Sequence, residues 1–392
     1  MKKQIIASFT IVILLLNLTG CGMAASTSSL VTGSTDTATP KPITTKTVRN
    51  PQEISSFSIS DDSLNNGKAF QYQEQEYQIK DHRIKGDTEE DDLYLYWTLH
   101  QGDSQEIPLV DPQEISHLDS LEKQKSPTSY ELNNVFLLSG YLFYTYQECI
   151  EKRFENNGAE FDWGEAQLCR INLETMEIDQ SYILVTKEQE KAGDSCQIWG
   201  TDPDSGYIYL SRAGNLLVLD LSLDEVDMVE FNSSKNIADI YWQEENYVLT
   251  DVGIYQINLA LDENNTLQKP KEICMWTSDD IYTFTSVIGI YGKFLYGYSF
   301  FPGNGRCLKV AGHYFQVDLD GNSYKILSAD QKKSFDGRSD DEDSFNTESF
   351  ADKHELYSEG RDHSDDSWDP IRIRYILSED GSVEIKTKKI DL

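Results

Sequence analysis

Short runs of apolar and aromatic residues alternate with polar turns along most of the chain. The runs occur in pairs, such as Gly-Tyr-Ile-Tyr-Leu at 206–210 followed by Leu-Leu-Val-Leu-Asp-Leu at 216–221. Period-2 alternation rich in aromatic and β-branched residues is typical of β-strands. Each pair therefore predicts a Tyr-rich strand, a second strand ending in Asp or Asn followed by Leu, then a turn and a third strand. The equivalent pairs are 140–146 with 167–173, 246–250 with 253–259, and 293–298 with 313–319.

The pairs recur at a spacing of about 40 to 60 residues, which is typical of a β-propeller. A single four-stranded sheet cannot cover its own apolar faces, so such sheets stack around an axis. Regular units are expected near 130–187, 195–231, 236–275 and 281–328, and irregular ones at 72–110 and 368–392. We therefore predict an all-β fold, with a single β-propeller over 51–392. Six blades are expected, with seven as the alternative.

Two shorter segments complete this prediction. A strand expected at 54–59 would complete the last blade and lock the ring. Helix-like spacing is restricted to 111–125, which contains Pro112. Helices are therefore expected to contribute little to the fold.

Two Tyr-Trp dipeptides carry a family resemblance. Tyr96-Trp97-Thr98 and Ile240-Tyr241-Trp242 resemble the Tyr-Trp-Thr-Asp repeats of low-density-lipoprotein-receptor-like six-bladed propellers. Leu99 stands where that motif has Asp, and Gln243-Glu244 replaces Thr-Asp in the second copy. The resemblance implies a six-bladed architecture, and it carries no active site to this chain.

The N-terminus has the layout of a secretory signal peptide. Lys2 and Lys3 precede an apolar run at 5–16, which is shorter than the ~20 residues that a spanning helix needs. Leu18-Thr19-Gly20-Cys21 resembles the lipobox of bacterial lipoproteins, in which the cysteine is lipidated and becomes the mature N-terminus. We therefore expect a signal peptide at 1–20 and an acyl anchor, such as palmitate, on Cys21. An ordinary cleaved signal is the alternative.

A polar segment separates this cysteine from the predicted propeller. Of the 29 residues in 22–50, 12 are Ser or Thr, and large apolar side chains are rare. Such a stretch buries too little surface to offset the entropy of ordering it. We expect residues 21–50 to be a disordered linker that begins at the lipidated cysteine.

Charge restricts the partners. Without Lys2 and Lys3 the mature chain has 32 basic and 67 acidic residues, a net charge of −35. Nucleic-acid binding and electrostatic attachment to anionic lipid both require a basic surface, so neither is expected. Attachment to membrane lipid is therefore expected to be covalent, through Cys21, on the extracytoplasmic side of the cell membrane.

The remaining cysteines, histidines and acids give weak signals. Besides Cys21 the chain has five cysteines, an odd number: Cys149, Cys169, Cys196, Cys274 and Cys307. Their spacing does not match a zinc site, and a disulfide between Cys149 and Cys169 is left open. An acidic stretch near 330–369 is expected to be a solvated loop. Its oxygen ligands suit Ca²⁺, but no EF-hand spacing is present, so no cofactor is predicted and Ca²⁺ stays the alternative.

No catalytic motif stands out. There is no GxSxG elbow or HExxH pair, and the many carboxylates lose diagnostic value by their abundance. We therefore predict no catalytic residues and favour a binding or scaffolding module for an envelope protein or glycan. The alternative is an extracytoplasmic propeller enzyme acting on a carbohydrate or other envelope component. A substrate-binding lipoprotein of a transporter is a third class, but such proteins are usually two-lobed and rich in helices.

Overall fold

Twenty-four strands make up most of the part of the chain that the computed structural model describes. That part comprises residues 68–84, 93–102, 105–110, 128–153, 159–232, 234–243, 245–259, 268–276, 283–301, 311–327, 333–334, 349–362 and 369–389. Residues 49–392 form one compact unit. The predicted signal peptide, Cys21, the linker, the strand at 54–59 and the helix at 111–125 lie outside the described residues.

The strands form six four-stranded antiparallel sheets, each with its strands in chain order. The first sheet contains β1 (Lys68–Tyr72), β2 (Gln75–Ile84), β3 (Leu93–Gln101) and β4 (Gln105–Pro108), and the second contains β5 (Thr128–Leu138), β6 (Tyr141–Arg153), β7 (Ala159–Asn172) and β8 (Glu177–Val185). The third contains β9 (Cys196–Asp202), β10 (Tyr207–Arg212), β11 (Asn215–Leu219) and β12 (Glu225–Val229).

The fourth sheet contains β13 (Ile237–Tyr241), β14 (Asn246–Thr250), β15 (Gly253–Ile257) and β16 (Lys271–Met275). The fifth contains β17 (Thr283–Tyr291), β18 (Phe294–Phe301), β19 (Ala311–Asp318) and β20 (Ser323–Leu327). The sixth contains β21 (Lys333–Ser334), β22 (Glu355–Asp362), β23 (Asp369–Leu377) and β24 (Val383–Lys389). One short helix, α1 (Lys187–Ala192), follows the second sheet and begins with a capping box at Thr186.

Middle strands of the third and fourth sheets contain runs that are buried on both faces. In β11 the consecutive residues 216–219 are all buried, and the same holds for 247–250 in β14. A strand covered on both sides has a continuous apolar run rather than strict alternation. The fourth strands are exposed instead, as the patterns of β8 and β24 show. The third and fourth sheets thus pack their centres between neighbouring sheets, whereas fourth strands such as β8 and β24 lie outward.

Five apolar clusters join the sheets in chain order. They connect the first sheet to the second, the second to the third, and so on to the sixth. The largest fully buried side chains are tyrosines and phenylalanines, including Tyr144, Tyr209, Tyr255, Tyr296 and Tyr375. None of the five clusters in the described part combines residues of the first and sixth sheets.

The predicted all-β fold is confirmed, and the repeat units match the sheets. The units expected at 130–187, 195–231, 236–275 and 281–328 correspond to the second to fifth sheets, within a few residues at each end. The irregular unit at 72–110 leaves out most of β1, and the unit at 368–392 contains only β23 and β24 of the sixth sheet. No helix in the described part is long and apolar enough to cross a membrane.

The structure answers one question that the sequence left open and corrects one prediction. Cys149 and Cys169 are both buried free thiols, because Cys149 is opposite Trp163 while Cys169 is opposite Tyr144, five positions away along β6. At about 3.3 Å per residue this separation is too long for a disulfide. The acidic stretch near 330–369 is not all loop, since residues 355–362 form β22 and pair along β23. Residues 330–332, 335–348 and 363–368 of that stretch lie outside the described ranges.

Candidate functional site

An open cleft of about 510 Å³ lies between the fourth and fifth sheets. It is formed where strands end: the turns β13–β14, β17–β18 and β19–β20 meet the end of β15 and the beginning of β16. Pockets that bind small molecules have volumes of about 300–1,000 Å³. The lining residues are Tyr241, Gln243, Glu245, Tyr247, Gln256, Lys271, Ile273, Ile290, Gly292, Lys293, Leu319 and Asp320.

The cleft has an apolar interior and a polar rim. Ile273 is buried, and Tyr241, Ile290 and Leu319 are partly buried. The exposed rim consists of Gln243, Glu245, Lys271, Lys293 and Asp320. Ligand sites usually combine apolar walls with a few converging polar groups, and in this cleft the polar groups make up the larger part of the lining.

Two tyrosine rings in the cleft are held by their hydroxyl groups. The Tyr247 hydroxyl donates to Oε2 of Glu245 at 2.7 Å, and the Tyr241 hydroxyl forms a hydrogen bond with the backbone of Ile290 on β17. Burial raises the pKa of Tyr241. Burial and the neighbouring Glu245 carboxylate raise the pKa of Tyr247 well above its usual value, so this phenol stays protonated. It serves as a hydrogen-bond donor and not as a nucleophile.

The turn between β19 and β20 brings charge to the opposite wall. Lys293 Nζ lies 3.2 Å from Oδ2 of Asp318 and 4.0 Å from Oδ2 of Asp320. Although burial acts to raise the pKa of Asp318, hydrogen bonds from the amides of Asp320 and Gly321 and the Lys293 ammonium hold it below its usual value. The Lys293 charge is therefore compensated inside the wall.

Glycine shapes the turn on the β17–β18 side. Gly292 has φ +62°, and a Cβ there would lie 2.7 Å from the carbonyl oxygen of Glu379 in the β23–β24 turn. A side chain at this position would be strained by the backbone and would clash with the sixth sheet. The wall of the cleft is thus supported from behind by the next sheet.

The described residues contain no group of three or more His, Cys, Asp or Glu side chains that could hold a metal ion. The acidic stretch near 330–369 suggested Ca²⁺ as the alternative, and its densest acidic run, Asp340 to Asp343, lies outside the described ranges. The carboxylates Glu245 and Asp320 border the cleft together with two lysines. This arrangement suits hydrogen bonding to a ligand better than cation coordination.

Sequence reasoning predicted one site residue, Cys21, which lies outside the described residues, and it missed the cleft. Its lining residues are spread from 241 to 320, so only the folded sheets bring them together. One sequence feature could have pointed to the cleft. Gln243, which lies on the rim, departs from the Tyr-Trp-Thr-Asp pattern after Tyr241-Trp242.

The two Tyr-Trp dipeptides occupy different places in their sheets. Trp97 lies in β3, the third strand of the first sheet, while Tyr241 ends β13, the first strand of the fourth. Trp242 is buried and donates from Nε1 to the carbonyl oxygen of Trp199 at 3.2 Å, so it holds the fourth sheet to the third. The dipeptides are therefore not equivalent positions of a repeat.

Comparison with known proteins gives no family. No protein-family model and no curated protein sequence matches the chain. Among solved structures, a protein of unknown function from Bacteroides caccae is 12% identical, with a TM-score of 0.28, 65% of this chain covered and 94% of the other. The tricorn protease is 8% identical, with a TM-score of 0.26 and coverage of 82% and 31%.

A protein of unknown function from Dyadobacter fermentans is 10% identical, with a TM-score of 0.24 and coverage of 87% and 96%. TM-scores of this size do not establish a shared fold, and identities of this size do not establish a shared function. The chain is assigned to no family.

Proposed function

We propose that this protein is a lipid-anchored binding module, a six-bladed β-propeller held outside the cell membrane by an acylated Cys21. The observation that carries the binding role is the cleft between the fourth and fifth sheets, with its apolar interior, its polar rim and two tyrosines held in place. Lining groups that are already fixed reduce the entropy lost on binding.

The propeller part of the proposal is supported by the repeated sheets. Six four-stranded meanders, each packed on the next through an apolar cluster, are the units of which a propeller consists. Propellers present their ligand sites on loops and turns, and the cleft is lined by turns. In this arrangement each sheet is one blade.

The anchor is supported by the lipobox-like Leu18-Thr19-Gly20-Cys21 and by the acidity of the chain. We expect cells that express the protein to incorporate labelled palmitate into it, and Cys21→Ala to abolish this incorporation because the acceptor thiol is gone. Cys149→Ala, which removes a buried thiol, is the control and should stay labelled. Equal labelling of the Cys21→Ala variant would rule out the anchor.

The binding role predicts retention on the cell envelope. Soluble protein, secreted without lipidation, should be retained on lipid-extracted envelopes of the producing cell. The double variant Gln243→Ala/Lys271→Ala should be retained at least about tenfold less, because two polar groups of the rim are lost.

The matched control is Gln180→Ala/Lys191→Ala, which removes an exposed glutamine and an exposed lysine at and after the second sheet. This control should behave like the wild-type protein. Equal retention of the cleft variant and the wild type would refute the cleft as the binding site. Turnover of an envelope component by the purified protein would favour the enzyme instead.

A further inference from the structure

We propose that the cleft takes a neutral oligosaccharide, an inference that rests on the binding function proposed above. The ligand class follows from four properties of the cleft: its local charge, its hydrogen-bonding groups, its apolar wall and the state of the neighbouring strand edge.

The charged groups at the cleft leave one net negative charge. Glu245 and Asp320 line the cleft together with Lys271 and Lys293, and Lys293 is already paired with Asp318 at 3.2 Å. Three carboxylates thus accompany two ammonium groups, so an anionic ligand would be repelled whereas a neutral ligand would not.

The polar groups suit hydroxyl groups, which donate and accept hydrogen bonds together. Gln243 and Gln256 each offer an amide that donates and accepts, Lys271 donates, and Glu245 accepts. Glu245 already receives the Tyr247 hydroxyl at 2.7 Å on Oε2, which leaves Oε1 for a ligand hydroxyl. A sugar, with adjacent hydroxyls along each ring, can use donors and acceptors in alternation.

The apolar wall offers a surface for the C–H faces of sugar rings. It consists of Tyr241, Ile273, Ile290 and Leu319. The Tyr241 ring is held by the hydrogen bond of its hydroxyl to the Ile290 backbone, so little rotamer freedom remains to be lost on binding. An amphipathic ligand with one apolar face and a hydroxyl-rich perimeter fits such a wall.

The strand edge beside the cleft does not favour an extended peptide. A peptide that adds to a sheet needs unpaired backbone groups along an edge strand. On β17 the amide of Val287 donates to Oδ2 of Asp239 at 2.6 Å, and the backbone of Ile290 binds the Tyr241 hydroxyl. Side chains of the fourth sheet thus occupy this edge at two positions, which disfavours peptide addition.

The test is direct titration calorimetry of the full soluble chain with three neutral trisaccharides: chitotriose, maltotriose and cellotriose. Trigalacturonate serves as an anionic probe and trialanine as a peptide probe. At least one neutral trisaccharide should bind, with less than about a twofold change in affinity between low and high salt, because no ligand charge is screened. Gln243→Ala/Gln256→Ala should weaken binding at least about tenfold, and Gln180→Ala should leave it unchanged.

Three results would overturn the proposal: no binding of any neutral trisaccharide, equal binding by the Gln243→Ala/Gln256→Ala variant, or preferential binding of trigalacturonate or trialanine. Circular dichroism and the unfolding midpoint of the variant separate loss of the site from loss of the fold. Envelope retention that still depends on the cleft would then show that the binding function stands while the ligand class is wrong.

Discussion

At the scale of single residues, a few polar groups hold the sheets to one another inside an apolar interior. Arg170, largely buried, donates to both carboxylate oxygens of Asp179 at 2.8 and 2.9 Å and to the carbonyl oxygen of Leu221 in the third sheet. Its guanidinium also lies 4.4 Å from the centre of the Tyr141 ring. A buried charge requires hydrogen-bonding or ionic partners of this kind. The sequence pattern does not indicate which arginine will be buried and paired.

Glu355 is a second buried charge with a testable consequence. Its carboxylate receives Nε of Arg374 at 2.7 Å and the Tyr357 hydroxyl, and these donors lower the pKa of Glu355 below its usual value. A carboxyl whose folded pKa is lowered contributes stability that is present above its unfolded pKa, about 4.3, and is lost as pH falls through the folded value.

We therefore expect Glu355→Gln to lower the free energy of unfolding by roughly 1 kcal/mol at pH 7, a modest figure because the Arg374 side chain is 42% exposed. The difference from the wild type should shrink below about pH 4. Urea unfolding at both pH values measures it, with Glu384→Gln, from an exposed pair with Lys386, as the control. A penalty independent of pH would contradict the assigned ionic contact.

At the scale of elements, the repeated Asp/Asn-Leu signal has a structural cause. Asn172, Asp220 and Asp318 end or follow third strands, and each side chain accepts backbone amides in the turn that comes next. The leucines after Asn172 and Asp318 pack inward, against the sheets. The sequence predicted this recurrence because turn chemistry is local. The alternation of apolar and polar residues was less informative about the strands, because strands covered on both faces have continuous apolar runs.

The Asx turn at Asp220 gives a matched pair of variants. Oδ1 of Asp220 accepts the amides of Ser222 at 2.8 Å and Asp224 at 3.1 Å. Asp220→Ala should lower the free energy of unfolding by about 1 kcal/mol, because two amides lose their acceptor. Asp220→Asn keeps an acceptor oxygen and should cost at most a few tenths of a kcal/mol. Equal losses for the two variants, measured by urea unfolding, would refute the turn as the cause.

At the scale of the whole molecule, sequence reasoning and folded structure differ most at the cleft. The extent of the second to fifth sheets followed from local patterns, whereas the first two strands of the sixth sheet were not predicted. The cleft depends on how the fourth sheet packs on the fifth, through contacts such as Asp239 to the Val287 amide. A contact between residues 48 positions apart produces no periodic pattern in the sequence. The sequence segments that line the cleft also contain no metal-binding or catalytic motif.

We propose that the six sheets close on one another as the blades of one ring. Small-angle scattering of residues 49–392 tests it most directly. A closed ring should give a radius of gyration of about 20 Å, the value for a compact domain of this length, and a distance distribution without a tail. A radius several ångströms larger, with an extended tail, would show an open array of sheets and contradict the account.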